Sequence, residues 1–201
     1  VQRQGGEVRT AEARAIRTEG RRVTGVETEA GIVPADQIVL AAGAWSARLL
    51  KPLGLRVPLE TQRGYHLMLP DAGVTPGRVL SPQDRKVFIS PMEEGLRVAG
   101  SVEIAGLDAP PNEARAQLLL DDLRAVFPDA RADGATSWMG HRPCLPDSLP
   151  VMGPLRDWQG IWCAFGHGHL GLTGSAPTGA LVAAAMAGER PNFDFAPFRA
   201  E

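Results

Sequence analysis

The chain has 201 residues, 44% of them hydrophobic and 22% charged, which is enough for one or two domains with an ordinary buried core. Its 21 basic and 23 acidic side chains leave a formal charge of -2, so no strong pull toward nucleic acid or an anionic membrane is expected. Cys144 and Cys163 form no Cys-x-x-Cys pair, and neither a signal peptide nor an apolar run of about twenty residues is present; the chain reads as a reduced, cytoplasmic protein without a spanning helix.

In chain order, residues 6–16 alternate weakly and read as one or two strands. Val23, Val26 and Thr28, then Ala30 and Gly31 ahead of Ile32 and Val33, predict a hairpin that turns at the glycine. Residues 37–42 form the apolar run of a parallel strand buried on both faces, ended by Gly43, and residues 45–53 read as a short helix. Past Pro58 the pattern shifts toward strands. Residues 62–69 place Tyr65 and Leu67 on one face and His66 and Met68 on the other, and residues 79–81, 86–91 and 96–102 continue as short strands of the same sheet. Asn112 should cap an amphipathic helix whose apolar face holds Ala116, Leu119, Leu120, Leu123, Val126 and Phe127, stopped by Pro128. Asp121 and Asp122 fall on its wet side, as a solvated face rather than a metal site. Pro110 with Pro111, and residues 154–159, read as linkers or exposed turns, and the tail carrying Phe193, Phe195 and Phe198 should pack on the body.

The most informative stretch is Phe165-Gly166-His167-Gly168-His169-Leu170-Gly171-Leu172-Thr173-Gly174. Residues 161–165 read as a buried strand, the glycines and histidines as a tight turn, and residues 175–187 as a helix that stops at Gly188. Such a turn leaves backbone N–H groups where a large planar or anionic ligand can approach; close strand-to-helix packing is the alternative. Upstream lie Trp138-x-Gly140-x-Arg142-Pro143 and Pro146-Asp147-x-Leu149-Pro150, and residues 39–46 form a third block, Val-Leu-Ala-Ala-Gly-Ala-Trp-Ser.

Taken together, the three blocks resemble the C-terminal portion of the FAD-dependent D-amino acid dehydrogenase and glycine oxidase (DAO) family. The resemblance implies an α/β fold: part of an FAD-binding Rossmann-like domain (residues 1–57), an antiparallel-sheet substrate domain (58–136) and a return to the FAD-binding domain (137–201). It implies FAD as cofactor and a small amino acid as substrate, oxidised at its CH–NH bond through an imine to a 2-oxo acid. The cofactor-binding positions would be Ala13, Ala42, Gly43 and Trp45, then Gly168, His169, Leu170, Gly171, Leu172 and Thr173. Arg142, Tyr65 and His169 would serve the substrate as catalytic groups. Members of that family carry an N-terminal Gly-x-Gly-x-x-Gly loop; none follows an early strand here and the chain opens at Val1, so a fragment is expected.

Arg142 is the principal candidate, because a planar guanidinium holds a carboxylate through two parallel hydrogen bonds and so fixes the direction of Cα. Its alternative is a structural ion pair with Asp147 or a helix end. His167 and His169 lack helical ligand spacing and a cysteine pair, so no metal is expected, and His167 reads as a hydrogen-bonding or packing group. Tyr65, His66 and His141 are further pocket candidates against ordinary packing. Amine oxidation by a flavin needs chiefly alignment, so no catalytic base is required of them. A reading of another class, a non-catalytic fragment or subunit that binds a partner or small carboxylate without FAD, stays open. So do the electron acceptor, association at the inner face of a membrane and homo-oligomer formation.

Overall fold

In the computed structural model, which describes residues 1–200, the first strand is β1 (Ala13–Glu19), and β2 (Arg22–Thr28) and β3 (Gly31–Pro34) complete an antiparallel meander. The weak alternation of residues 6–12 makes no strand: those residues are exposed and have no layer to pack on. The turn into β3 is built by Thr28, whose hydroxyl donates to the Gly31 carbonyl at 2.8 Å and accepts from the Ala30 N–H at 3.2 Å. Gly31 sits at φ 119, which L side chains rarely adopt. β4 (Ile38–Leu40) follows, then a single 3-10 turn at Gly43–Trp45 and the short α1 (Ser46–Leu50).

The middle of the chain supplies β5 (Glu60–Leu69), β6 (Phe88–Met92), β7 (Gly95–Ile104), α2 (Ala114–Val126) and β8 (Thr136–Cys144), with sheet order β6-β7-β5-β8. β7 runs antiparallel to both β5 and β6. Helix α2 covers one face: Ala116, Leu119 and Leu123 pack with Tyr65, Leu67, Leu69, Ile89, Leu96 and Val98 in one apolar cluster. Leu123 is fully buried there, worth roughly 1.5–3 kcal/mol of transfer free energy. Asn112 Oδ1 accepts the Ala114 N–H at 3.2 Å at the helix start, and the helix ends at Phe127 ahead of Pro128. Two expectations change here. Residues 79–81 contribute only an isolated bridge, Leu80 to Ile89. The Pro110 segment is no slack linker either, because the carbonyls of Ala109 and Pro110 accept the buried Arg63 guanidinium at 2.9 and 2.6 Å.

The chain then returns through β9 (Val151–Pro154), β10 (Ile161–Phe165) and α3 (Gly171–Met186). β10 lies between β4, parallel to it, and β9, antiparallel to it. The expected parallel strand is therefore present, but it is an edge strand and Val39 is 43% exposed, so burial on both faces is not realised. Helix α3 starts four residues before the expected Ser175, because the Ser175 hydroxyl bonds back to the Leu172 carbonyl at 2.7 Å instead of capping a new helix. Phe195 is buried against Gly153 at φ 101, with Phe193 and Phe198 beside it. Residues 1–59 with those from Pro143 onward form one unit, and Glu60–Arg142 the other. Among the described residues no helix is long and apolar enough to cross a membrane.

Candidate functional site

The four-stranded sheet has one face under α2 and one open. On β8, Met139 packs into the α2-side cluster and His141 Nδ1 lies 2.9 Å from Thr61 Oγ1, so Trp138, Gly140 and Arg142 belong to the open face. On β5, Tyr65 and Leu67 fill the core, which assigns Gly64, His66 and Met68 to that same open face. Register extends it across the sheet: His66 pairs with Ala99 and Ala99 with Phe88, while Met68 pairs with Arg97 and Arg97 with Ser90.

Two glycines on this face are sites of close approach. A Cβ on Gly64 would collide with the Arg142 guanidinium, which therefore lies flat on the Gly64 main chain, and Arg142 Nη1 also reaches the Ser101 carbonyl at 3.4 Å. Opposite Gly64 the ladder is bulged, with two residues of β7 against one of β5 and Ser101 at φ 65. The bulge turns that carbonyl toward the arginine. A Cβ on Gly140 would enter the Trp138 ring, which stacks on His66 at 5.0 Å and 23°. His66 Nδ1 lies 3.4 Å from Arg97 Nη2, and burial first, then the Arg97 charge, hold its pKa below the usual imidazole value. With its Nδ1 accepting, His66 is neutral at pH 7 and carries Arg97 as a second fixed cation of the face. Arg97 was not singled out in the sequence; the alternation of Leu96 and Val98 around it was the available signal.

Tyr65 is on the other side. It is 3% exposed, and its hydroxyl lies 2.5 Å from Glu103 Oε2, 3.0 Å from Arg63 Nη2 and 3.0 Å from the Asn112 N–H. Arg63 is fully buried; its Nε lies 3.2 Å from Glu103 Oε2 but out of line for a hydrogen bond, so that contact is an ion pair only by distance. The Tyr65 hydrogen bond, with help from Asn112, Arg63 and Arg115, lowers the Glu103 pKa. His141 also belongs to this inner side, its pKa lowered by burial and by the Arg63 charge. Tyr65 and His141 therefore do not share the face of Arg142.

In the other unit, β4 and β10 are neighbouring parallel strands with Leu40 opposite Cys163, so the turns that leave their carboxyl ends are neighbours too. Ala42, Gly43 and Trp45 form one turn; Gly168, His169 and Leu170 form the other and run into Gly171, Leu172 and Thr173, the first turn of α3. The crevice beyond the carboxyl ends of parallel strands is where open α/β sheets bind ligands. Both turns depend on left-handed glycines, Gly43 at φ 52 and Gly168 at φ 54, and nothing lies within 4 Å of a Cβ added at Gly43. Cys144 Sγ supports Gly168 from below, and Leu145 Cδ1 lies where a Gly166 Cβ would be. His167 Nε2 bonds Thr178 Oγ1 at 3.0 Å and fastens the turn to α3, matching the hydrogen-bonding role expected of it. Burial lowers its pKa.

These turns fit FAD. The first turn of α3 has no acidic residue to repel a diphosphate or an electron-rich ring, and its N–H groups carry the positive end of the helix dipole. Leu170 and Leu172 present apolar surface at 66% and 91% exposure, suited to a planar ring. Behind the other turn, Ser46 is fully buried with a hydroxyl that has no partner among the described residues, an orphan of the kind a bound group satisfies. Ala13 opens β1 on the separate meander, paired with Thr28 and exposed. His167 and His169 belong to no group of metal-ligating side chains among the described residues.

Comparison with known proteins agrees with this geometry. The model of a family described as FAD dependent oxidoreductase matches residues 1–185. A D-amino-acid oxidase of Bradyrhizobium diazoefficiens is 43% identical over 198 residues, covering 96% of this chain and 47% of that protein. Among solved structures, glycine oxidase from Geobacillus kaustophilus aligns with a TM-score of 0.81 at 25% identity over 95% of this chain and 52% of its own, and iminodiacetate oxidase from Chelativorans sp. BNC1 with 0.75 at 29% identity over 96% and 53%. The chain thus spans about half the length of these relatives. With a family model over residues 1–185, this chain belongs to the FAD-dependent oxidoreductases of the DAO family.

Proposed function

We propose that the protein of which this chain is part oxidises the CH–NH bond of an amino acid. The Cα–H and N–H bonds break as C=N forms, two electrons and two protons passing to FAD; water then adds to the imine, and a 2-oxo acid and ammonia leave. FAD supplies the two-electron acceptor. Arg142 binds the substrate carboxylate through its guanidinium, and the flat contact with Gly64 fixes the plane of that fork before substrate arrives. Ala42, Gly43 and Trp45, with residues 168–173, would hold the cofactor along their main chain, and the dipole of α3 would favour negative charge on it. His169, exposed on its turn, is a polar contact for substrate. Tyr65 acts indirectly, by holding Arg63, Glu103 and the start of α2 beneath the sheet.

The observation that carries this reading is the Arg142 guanidinium seated on a glycine of the open face. Anaerobic mixing of the FAD-loaded full-length protein with a panel of amino acids of both hands tests it by the loss of oxidised-flavin absorbance. Wild type should bleach with at least one amino acid, and Arg142→Met should keep FAD yet bleach far more slowly. A wild-type protein that binds FAD and bleaches with none of them would refute the proposal.

A further inference from the structure

The open face carries a second cation, placed as deliberately as the first. Arg97 is half-buried on β7, beside Met68 in register, and its guanidinium turns toward β5 to meet His66. Arg142 rests on Gly64, two residues before His66 on the same strand and the same face. At 3.2–3.4 Å of rise per residue, the backbone positions of Gly64 and His66, which the two side chains approach, are about 7 Å apart along β5. A dicarboxylate offers one carboxylate to each guanidinium, whereas a monocarboxylate can answer only one of them. The α2-side carboxylate Glu103 is committed to Tyr65 and the buried Arg63, while Phe88, Met68 and Trp138 supply apolar surface around the arginines. Among the described residues the hydrogen-bonding partner of Arg97 is His66 and not a carboxylate, so a bound carboxylate can serve as its counter-charge.

We infer that the Arg97 and Arg142 seats together select an amine bearing two carboxylates, such as an acidic amino acid or an N-carboxymethyl amine. Arg142 holds the carboxylate next to the reacting carbon and Arg97 the distal one. His66 and Trp138 are positioning residues: the imidazole fixes Arg97 through Nδ1, and the indole fixes the imidazole by stacking. This inference rests on the amine-oxidation reading for the identity of the reaction, but the binding selectivity can be measured without any turnover.

The test uses the FAD-loaded full-length protein and two unreactive probes, glutarate and butyrate, titrated calorimetrically. Wild type should bind glutarate about 10-fold or more tightly than butyrate, because a second charge-assisted bidentate pair is made. Arg97→Met, which keeps the apolar stem, should abolish that preference, and Arg97→Lys should retain part of it. Equal wild-type affinities for the two probes overturn the inference, even if neither variant folds. So does an Arg97→Met protein that still prefers glutarate. The same preparations are then assayed for flavin reduction by glutamate and glutamine of both hands. Reduction by glutamine as readily as by glutamate overturns the substrate class while the amine-oxidation reading stands. A glutarate preference with no amine oxidised refutes that reading and leaves the paired-arginine site in place.

Discussion

Substituting Gly64 by alanine separates a role in seating Arg142 from a role in the strand itself. The φ of Gly64 is outside the left-handed region, so alanine meets no backbone strain, and the lost flexibility of the unfolded chain favours the variant by about 0.4–1 kcal/mol. The atoms nearest the new Cβ are Nη2, Cζ and Nη1 of Arg142, the far end of a flexible side chain. To regain a contact distance of about 3.5–4 Å, the guanidinium must retreat by roughly 1.5 Å. The two terms oppose each other in the fold, so Tm should move by no more than about 3 °C in a protein of this size. The reaction feels the displacement in full: misplacing a reacting group by about 1 Å costs on the order of 100-fold. Thermal denaturation and kcat/KM from anaerobic flavin reduction are the assays. The reasoning fails if kcat/KM stays within about threefold of wild type, or if Tm falls by about 8 °C or more, which would mean that the glycine serves the backbone.

Three further outcomes are expected. Tyr65→Phe should lower stability by about 1–2 kcal/mol, since Arg63 loses a buried partner, yet change kcat/KM little because Tyr65 faces α2; a loss of activity at full stability would return Tyr65 to the reacting face. Gly171→Ala adds a Cβ that only touches His167 Cβ at 3.7 Å, in ordinary helical backbone, so the helix gains up to about 1 kcal/mol while FAD, titrated by flavin fluorescence, binds more weakly. Glu103 has its folded pKa lowered by Tyr65, so its stabilising contribution is complete above its unfolded value of 4.5 and disappears as pH falls through the lower folded value. Acid unfolding of Glu103→Gln should therefore show a shallower pH dependence below 4.5 than wild type, and identical slopes would show that Glu103 does not couple to folding.

Much of the framework was legible in the sequence because it follows from local periodicity. The alternation of Tyr65 and Leu67 against His66 and Met68 survives unchanged, and so do the helix before Pro128 and the strand ending at Phe165. Alternation separates two faces but does not say which one α2 covers. Tyr65 consequently looked like a substrate group, whereas it sits in a buried polar network. The seat of Arg142 depends on cross-strand register, on a bulge at Ser101 and on the missing Cβ of Gly64, and none of these leaves a local pattern. Arg97 was passed over for the same reason, since an arginine between Leu96 and Val98 looks like any solvent-facing strand residue. By contrast, the glycine turns at 43 and 168 were visible as turns, and only the parallel pairing of β4 with β10 makes them neighbours.

That pairing also dictates an order of events during synthesis. Leu40 must wait for Cys163, about 120 residues later, and at 5–20 residues per second the delay is roughly 6 to 25 s. In that interval the insert with its four strands and α2 has already left the ribosome, and its longest sheet contacts, between β5 and β8, close over a shorter stretch. The arginine-bearing sheet can thus mature while the turn at Gly43 is still solitary, its hydrophobic strand open to solvent. Mutations that slow docking of β10 should harm the yield of flavin-loaded protein long before they harm the finished molecule.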